Sequence, residues 1–204
     1  LSSSDISAGD KFGASVAIID GQVLIGAHSD SDENDVTSGA AYIFTGSGTS
    51  WTQKAKLTST DGEAGDLFSA TIAFNEDFAA ISSYQKDDYT GTTYIFEYDK
   101  NSTSWDFKEK ITASDIIAGD AFGYSVIISD SNIFIAAPYQ DTPSTNSGAI
   151  YQYTQTGSSW GEEKLSFSSA IYSSLLGKTI ATYNNDIAFY NSSSTYNGVY
   201  FLNH

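Results

Sequence analysis

An all-β chain assembled from repeated four-stranded antiparallel units is what this sequence predicts, on three observations. The first is a phrase that recurs four times. It reads Gly9-Asp10-Lys11-Phe12-Gly13-Ala14-Ser15-Val16, Gly65-Asp66-Leu67-Phe68-Ser69-Ala70-Thr71-Ile72, Gly119-Asp120-Ala121-Phe122-Gly123-Tyr124-Ser125-Val126 and, with more altered letters, Ser173-Ser174-Leu175-Leu176-Gly177-Lys178-Thr179-Ile180. Its anchors Phe12, Phe68, Phe122 and Leu176 are 56, 54 and 54 residues apart, a period that marks an array of units burying their apolar faces against one another. The second is composition: 14 Tyr, 12 Phe and 3 Trp with no Met suit strands better than helices. The third is punctuation, since apolar runs alternate with tight polar turns, the hairpin signature. Four antiparallel strands in about 55 residues make the blade of a β-propeller.

After the anchor, the β-branched Val16, Ile72, Val126 and Ile180 place a first strand at 12–19, 68–74, 122–129 and 176–183. Turns at Asp20-Gly21, Asn75-Glu76-Asp77, Asp130-Ser131-Asn132 and Asn184-Asn185-Asp186 follow, built from residues that tolerate positive φ. The returning strand is continuously apolar, as in Val23-Leu24-Ile25 and Ile133-Phe134-Ile135, so it is buried on both faces. A polar loop of variable length then leads to Gly39, Gly91, Gly148 or Gly198, which opens an aromatic strand. The last strand starts at Trp51, Trp105 or Trp160 and alternates as a half-wet outer edge does.

Net charge of −16 and a pI near 4.1 leave no basic patch to neutralise phosphates, so nucleic acid is not an expected partner. There is no Cys, hence neither disulfides nor thiolate metal sites. No apolar run approaches the ~18 residues of a membrane span, and no signal peptide is evident. With no Met at all, the chain is expected to be processed or part of a longer one.

The units resemble the FG-GAP repeat, which occurs in the propeller of integrin α subunits and in many secreted and surface proteins. The Phe-Gly slot holds Phe12-Gly13, Phe68-Ser69, Phe122-Gly123 and Leu176-Gly177. The Gly-Ala-Pro slot, beginning 14 residues after each anchor, holds Gly26-Ala27-His28, Ser82-Ser83-Tyr84, Ala136-Ala137-Pro138 and Tyr190-Asn191-Ser192. The resemblance implies a propeller over essentially the whole chain and an extracellular or cell-surface setting. Many such repeats carry a calcium loop between the first two strands. Here that hairpin is a tight turn too short to wrap an ion with six or more oxygens, so calcium binding does not carry over to it.

Residues 1–204 read as one array: 1–4 as the tail of a preceding strand, then repeats at 5–58, 59–112 and 113–166 and an incomplete fourth at 167–204. Leu1 stands 11 residues before Phe12, as Leu57, Ile111 and Leu165 stand before their anchors. The expectation is a segment of a larger propeller or assembly, with blade edges available for self-association.

Candidate sites are few. The acidic stretch from Asp30 to Asp35 offers Asp30, Asp32 and Asn34 as alternating oxygens for a divalent cation such as Ca2+, but lacks the Gly and closing Glu of an EF-hand loop. Asp10, Asp66 and Asp120 share one slot in three units and read as turn caps. His28 and His204 are the only histidines, and no catalytic set forms around them. Trp51, Trp105 and Trp160, one per blade, read as packing residues. Asn101 and Asn191 head Asn-x-Ser/Thr sequons. No catalytic residue and no cofactor is assigned. The functional expectation is a non-catalytic adhesion, recognition or assembly module, its protein or glycan ligand held by loops 28–38, 84–90 and 138–147. The rivals are a filament protomer, and a hydrolase or lyase with its site at the propeller centre.

Overall fold

A computed structural model of the chain describes residues 1–3, 5–31, 36–141, 145–165, 175–183, 186–192 and 198–202. Its fold is that of β-propeller blades, each sheet a simple antiparallel meander. The chain divides into two compact units, one of residues 1–86 and 92–111, the other of residues 87–91 and 112–204.

The first unit holds two four-stranded sheets. Strands β1 (Ser15–Ile19), β2 (Gln22–Ala27), β3 (Ala40–Ser47) and β4 (Ser50–Leu57) form one, and β5 (Thr71–Phe74), β6 (Phe78–Ser83), β7 (Thr92–Asp99) and β8 (Ser104–Ile111) the other. Their shared core gathers Leu24, Ile43 and Leu57 with Phe68, Ile81, Tyr94 and Trp105. The second unit holds β9 (Ser125–Ser129), β10 (Asn132–Ala137), β11 (Ala149–Thr156) and β12 (Ser159–Leu165), and a sheet whose described strands are β13 (Ile180–Tyr183), β14 (Asp186–Asn191) and β15 (Gly198–Leu202). Phe134, Ile150, Leu176, Ile187 and Phe189 form its core. As the apolar runs predict, β6 is buried throughout, and β2 and β10 at every residue but the first.

The first strands begin three or four residues later than the sequence suggests, because the anchor lies in a turn. Backbone φ is positive at alternate residues around it: Gly9, Lys11 and Gly13 in the first repeat, Gly65, Leu67 and Ser69 in the second, Gly119, Ala121 and Gly123 in the third. No strand accommodates that alternation. It curls the chain so that the Phe ring turns inward, edge-on to two aromatics of its own blade. Phe68 meets Tyr94 and Phe96 at 5.3 and 6.3 Å, and Phe122 meets Tyr151 and Tyr153 at 5.7 and 6.2 Å, geometry favoured by the ring quadrupole.

The glycine opening the third strand of each of the first three repeats has a second task. A Cβ at Gly39 would lie 2.3 Å from the carbonyl oxygen of Phe68, one at Gly91 2.0 Å from that of Phe122, and one at Gly148 2.4 Å from the amide nitrogen of Leu176. Here each loop is clasped by the next repeat's anchor turn. In the first unit Phe68 N–H donates to Ser38 C=O at 2.8 Å; in the second, Phe122 N–H donates to Thr90 C=O at 3.1 Å and Leu176 N–H to Ser147 C=O at 3.2 Å. Backbone comes so close to backbone that no side chain fits between.

Candidate functional site

Three of the sequence candidates prove to serve one architectural task. The carboxylates of Asp10, Asp66 and Asp120 each accept the backbone N–H three residues upstream, from Ser7 at 2.6 Å, Glu63 at 2.9 Å and Ile117 at 3.0 Å. Each satisfies a turn donor that has no backbone partner in that geometry.

A larger polar constellation repeats with the blades and is invisible to a reading that follows apolar letters. In the first repeat Tyr42 is fully buried, and its hydroxyl donates to the carboxylates of Asp30 and of Asp5, the latter at 3.2 Å. Lys56, opposite Tyr42 in the β3–β4 ladder, bridges Asp5 at 2.7 Å and Asp30 at 2.9 Å while lying over the tyrosine ring. The second repeat repeats it, with Tyr94 donating to Asp61 at 2.7 Å and Lys110 bridging Asp61 at 2.7 Å. In the third, Tyr151 donates to Asp115 at 2.7 Å and Lys164 bridges Asp115 at 2.6 Å. Burial alone would raise the Asp5 carboxyl, but hydrogen bonds from Lys56 and Ser3 outweigh it and hold it at about 2. Asp61 and Asp115 are lowered in the same way, against desolvation, by their lysine and tyrosine partners. Tyr42 and Tyr151 are pushed up by burial and by the adjacent carboxylate. With every group paired, these sets are structural fasteners. The aspartates stand seven residues before each anchor, a spacing that could have revealed them.

Asp30 therefore points inward, 3% exposed, its carboxylate engaged by Tyr42 and Lys56. Asp32 and Asn34 lie outside the described residues. Among the described residues, no group of three or more His, Asp or Glu side chains is arranged to hold a metal ion. Asn101 is exposed in the β7–β8 turn, whose Asn101 N–H and Ser102 hydroxyl both donate to Asp99. Asn191 closes β14 at 1% exposure, so a glycan there would require the side chain to leave its buried place. The His28 ring shares a hydrogen bond with the hydroxyl of its neighbour Ser29 at 3.0 Å, and His204 is outside the described residues. Trp105 packs on Phe74 and Tyr98, and Trp51 donates its indole N–H to Gly48 C=O at 3.0 Å.

In the second unit the loop face is aromatic. Residues Asp87, Asp88 and Tyr89 run as a left-handed turn, φ 52°, 56° and 64°, which is rare for non-glycine residues and costs free energy at each. The turn is pinned to the third repeat: Gly119 N–H donates to Asp88 C=O at 3.0 Å, and Ala121 N–H to Tyr89 C=O at 2.7 Å. Tyr139 N–H donates to Asp120 C=O at 3.3 Å and Tyr124 N–H to Ala121 C=O at 3.2 Å, and these two rings meet edge to face at 6.0 Å. Tyr89 (48% exposed), Ile117 (61%), Tyr124 and Tyr139 thus gather around one turn.

Against known proteins, no curated protein matches. Among solved structures, one described as "Structure of YjhT" is similar at 15% identity and a TM-score of 0.47, covering 86% of this chain, which spans 57% of that one. The FG-GAP repeat family matches residues 1–44, 51–96 and 105–153, more than half of the chain, each stretch holding one anchor and its buried tyrosine: Phe12 with Tyr42, Phe68 with Tyr94, and Phe122 with Tyr151. The chain belongs to the FG-GAP repeat family.

Proposed function

We propose that this chain is a non-catalytic extracellular recognition module that binds a protein or glycan through its loop face, in adhesion or assembly. The observation that carries the reading is the tyrosine group around Tyr89, Tyr124 and Tyr139. Tyrosine gives large amphipathic contact area at small entropic cost and dominates recognition surfaces. A strained turn held by backbone hydrogen bonds keeps it preorganised. The acidic composition and the family's usual occurrence in secreted and surface proteins support the setting. No described helix is long and apolar enough to cross a membrane. Calcium takes no part in this reading.

The test is an immobilised-chain binding screen against a panel of extracellular matrix proteins and a glycan array, repeated with a Tyr89→Ser/Tyr139→Ser double variant. Saturable binding that weakens at least tenfold in the variant, with unchanged circular dichroism, is expected. Turnover of a chromogenic glycoside or ester panel, unaffected by the double variant, would overturn it.

A second reading, assembly through a blade edge, is favoured by β15. Among the described residues this strand pairs only with β14, and Val199 and Phe201 on one of its faces are 61% and 72% exposed. Sedimentation of wild type and Phe201→Ser checks it: a concentration-dependent oligomer lost in the variant supports assembly.

A further inference from the structure

Strands β4 and β8 carry the same irregularity. Phe44 pairs with Gln53 and Ile43 with Ala55, leaving Lys54 as the extra residue of a bulge; Phe96 pairs with Phe107 and Ile95 with Glu109, leaving Lys108. Bulges re-aim a side chain, and here both re-aim a lysine. In the second repeat Lys108 is satisfied by Glu97 at 2.7 Å. Thr45 takes the place of Glu97 in the first repeat, each standing six residues after its strand-opening glycine. Lys54 has no ion-pair partner among the described residues and stands exposed on β4.

Lys54 lines a groove of about 630 Å³ in the first unit, between the outer strands of the two sheets. Its floor is apolar, with Ile43, Leu57 and Trp105 buried beneath it. Thr45, Ser104 and Thr103 bring hydroxyls, and Asp20 brings an acceptor from the β1–β2 turn. Thr103 holds φ at 57°, an unusual conformation for a β-branched residue. The volume suits a small ligand. An unpaired ammonium asks for an anion, and hydroxyls around an apolar floor ask for a polyhydroxylated ring.

We infer that this groove is a binding site for a carboxylate-bearing saccharide, its carboxylate held by Lys54 and its hydroxyls by Thr45, Ser104 and Asp20. The site is built from residues of the first unit alone and does not depend on the tyrosine face. The two substitutions that test it are Lys54→Gln, which removes the charge, and Thr45→Glu, which gives Lys54 the internal partner that Lys108 has. Lys54 is exposed and Thr45 half-buried, so neither empties a core. The probes are D-glucuronate and, as the neutral control, D-glucose, titrated at about 0.15 M salt to damp the repulsion of a net-acidic chain. The expected result is saturable amide and indole shifts at Thr45, Ser104 and Trp105 with glucuronate, at a Kd on the order of millimolar. Affinity falls at least tenfold for glucose and in both variants. Equal binding of the two sugars, binding unchanged by Lys54→Gln, or shifts confined to other regions would overturn the inference.

Discussion

The second and third repeats bury the same aspartate in the same turn and treat its charge in opposite ways. Asp66 and Asp120 are 7% and 3% exposed, and eighteen residues after each anchor stand Lys86 and Gln140, at 5% and 2%. Lys86 bridges Asp66 at 3.1 Å and donates to Asp61 C=O at 2.8 Å. Asp120 forms no ion pair among the described residues. Desolvation, with the charges of Asp141 and Asp115, raises its carboxyl above the ordinary range, against the pull of the Ile117 N–H. The first repeat solves the problem a third way, putting Asp30 in that slot beneath Lys56. The fold thus specifies that the slot be buried and polar, and leaves the charge to local compensation.

The comparison breaks most visibly at Lys86. Lys86→Met keeps the volume but leaves Asp66 buried without its cation, which typically costs about 3–5 kcal/mol. The denaturation midpoint should fall accordingly, and adding Asp66→Asn should restore most of the loss, since the two positions form one unit. Independent, additive losses would show that the ion pair is incidental.

Next in size is the tyrosine hydroxyl common to the repeats. Tyr94→Phe and Tyr151→Phe each remove a 2.7 Å hydrogen bond to a carboxylate, worth about 1–2 kcal/mol once partial exposure of the aspartate is allowed for. The pH dependence has a definite sign. Asp5 is held at about 2, and Asp61 and Asp115 are also lowered. Their contributions are present above the unfolded value of 3.8 and are lost as pH falls through the folded values. A stability profile measured from pH 6 to pH 2 should therefore fall on the acid side, and less steeply in the two variants.

What the sequence could and could not reveal follows from these same residues. The blade was legible because strand burial writes itself in apolar runs, and the period because Phe12, Phe68 and Phe122 keep their identity. The late start of β1, β5 and β9 was not legible, since Lys11, Leu67 and Ala121 give no sign of positive φ. Asp5, Asp61 and Asp115 were legible in principle, by their constant distance from the anchor. The slot of Asp30, Lys86 and Gln140 was not: an acid, a base and an amide share no letter, and only burial unites them. The tyrosine face was half legible. The loops 84–90 and 138–147 were expected, together with 28–38, to carry a binding surface because they form the loop face of a propeller, but the backbone clasp joining Tyr89 to the anchor turn near Tyr139 needed coordinates.

Smaller in free energy are the exchanges between the two repeats. Asp66→Asn leaves Lys86 its other acceptors, the Asp61 carboxylate at 3.7 Å and the Asp61 C=O at 2.8 Å, and should destabilise by about 1 kcal/mol at pH 7. Asp120→Asn should be neutral or slightly stabilising there, because a carboxyl with a raised folded pKa favours the folded state below its unfolded value and loses that advantage as pH rises through the folded one. The amide keeps an acceptor for Ile117 N–H and has no charge to desolvate. Chemical denaturation of both variants at pH 7 gives the two signs directly, and a loss of equal size at both positions would mean that the turn, not the charge, sets the cost.

Gln140→Lys is the smallest expected change in stability and the sharpest test. Desolvating a new ammonium opposes its attraction to Asp120, so net stability at pH 7 should move by no more than about 1 kcal/mol either way. The titration should move much further. With the ammonium in place, the Asp120 carboxyl should drop from above 3.8 to below it, read by carbon-detected NMR of the side-chain carboxyl. The pH dependence then inverts: in the natural chain Asp120 favours folding on acidification, whereas in the variant its contribution is lost as pH falls. Were the carboxyl to stay high, the introduced ammonium would have turned to solvent. The pairing of Asp66 with Lys86 would then depend on its second acceptor, Asp61 C=O, and not on the slot that the two repeats share.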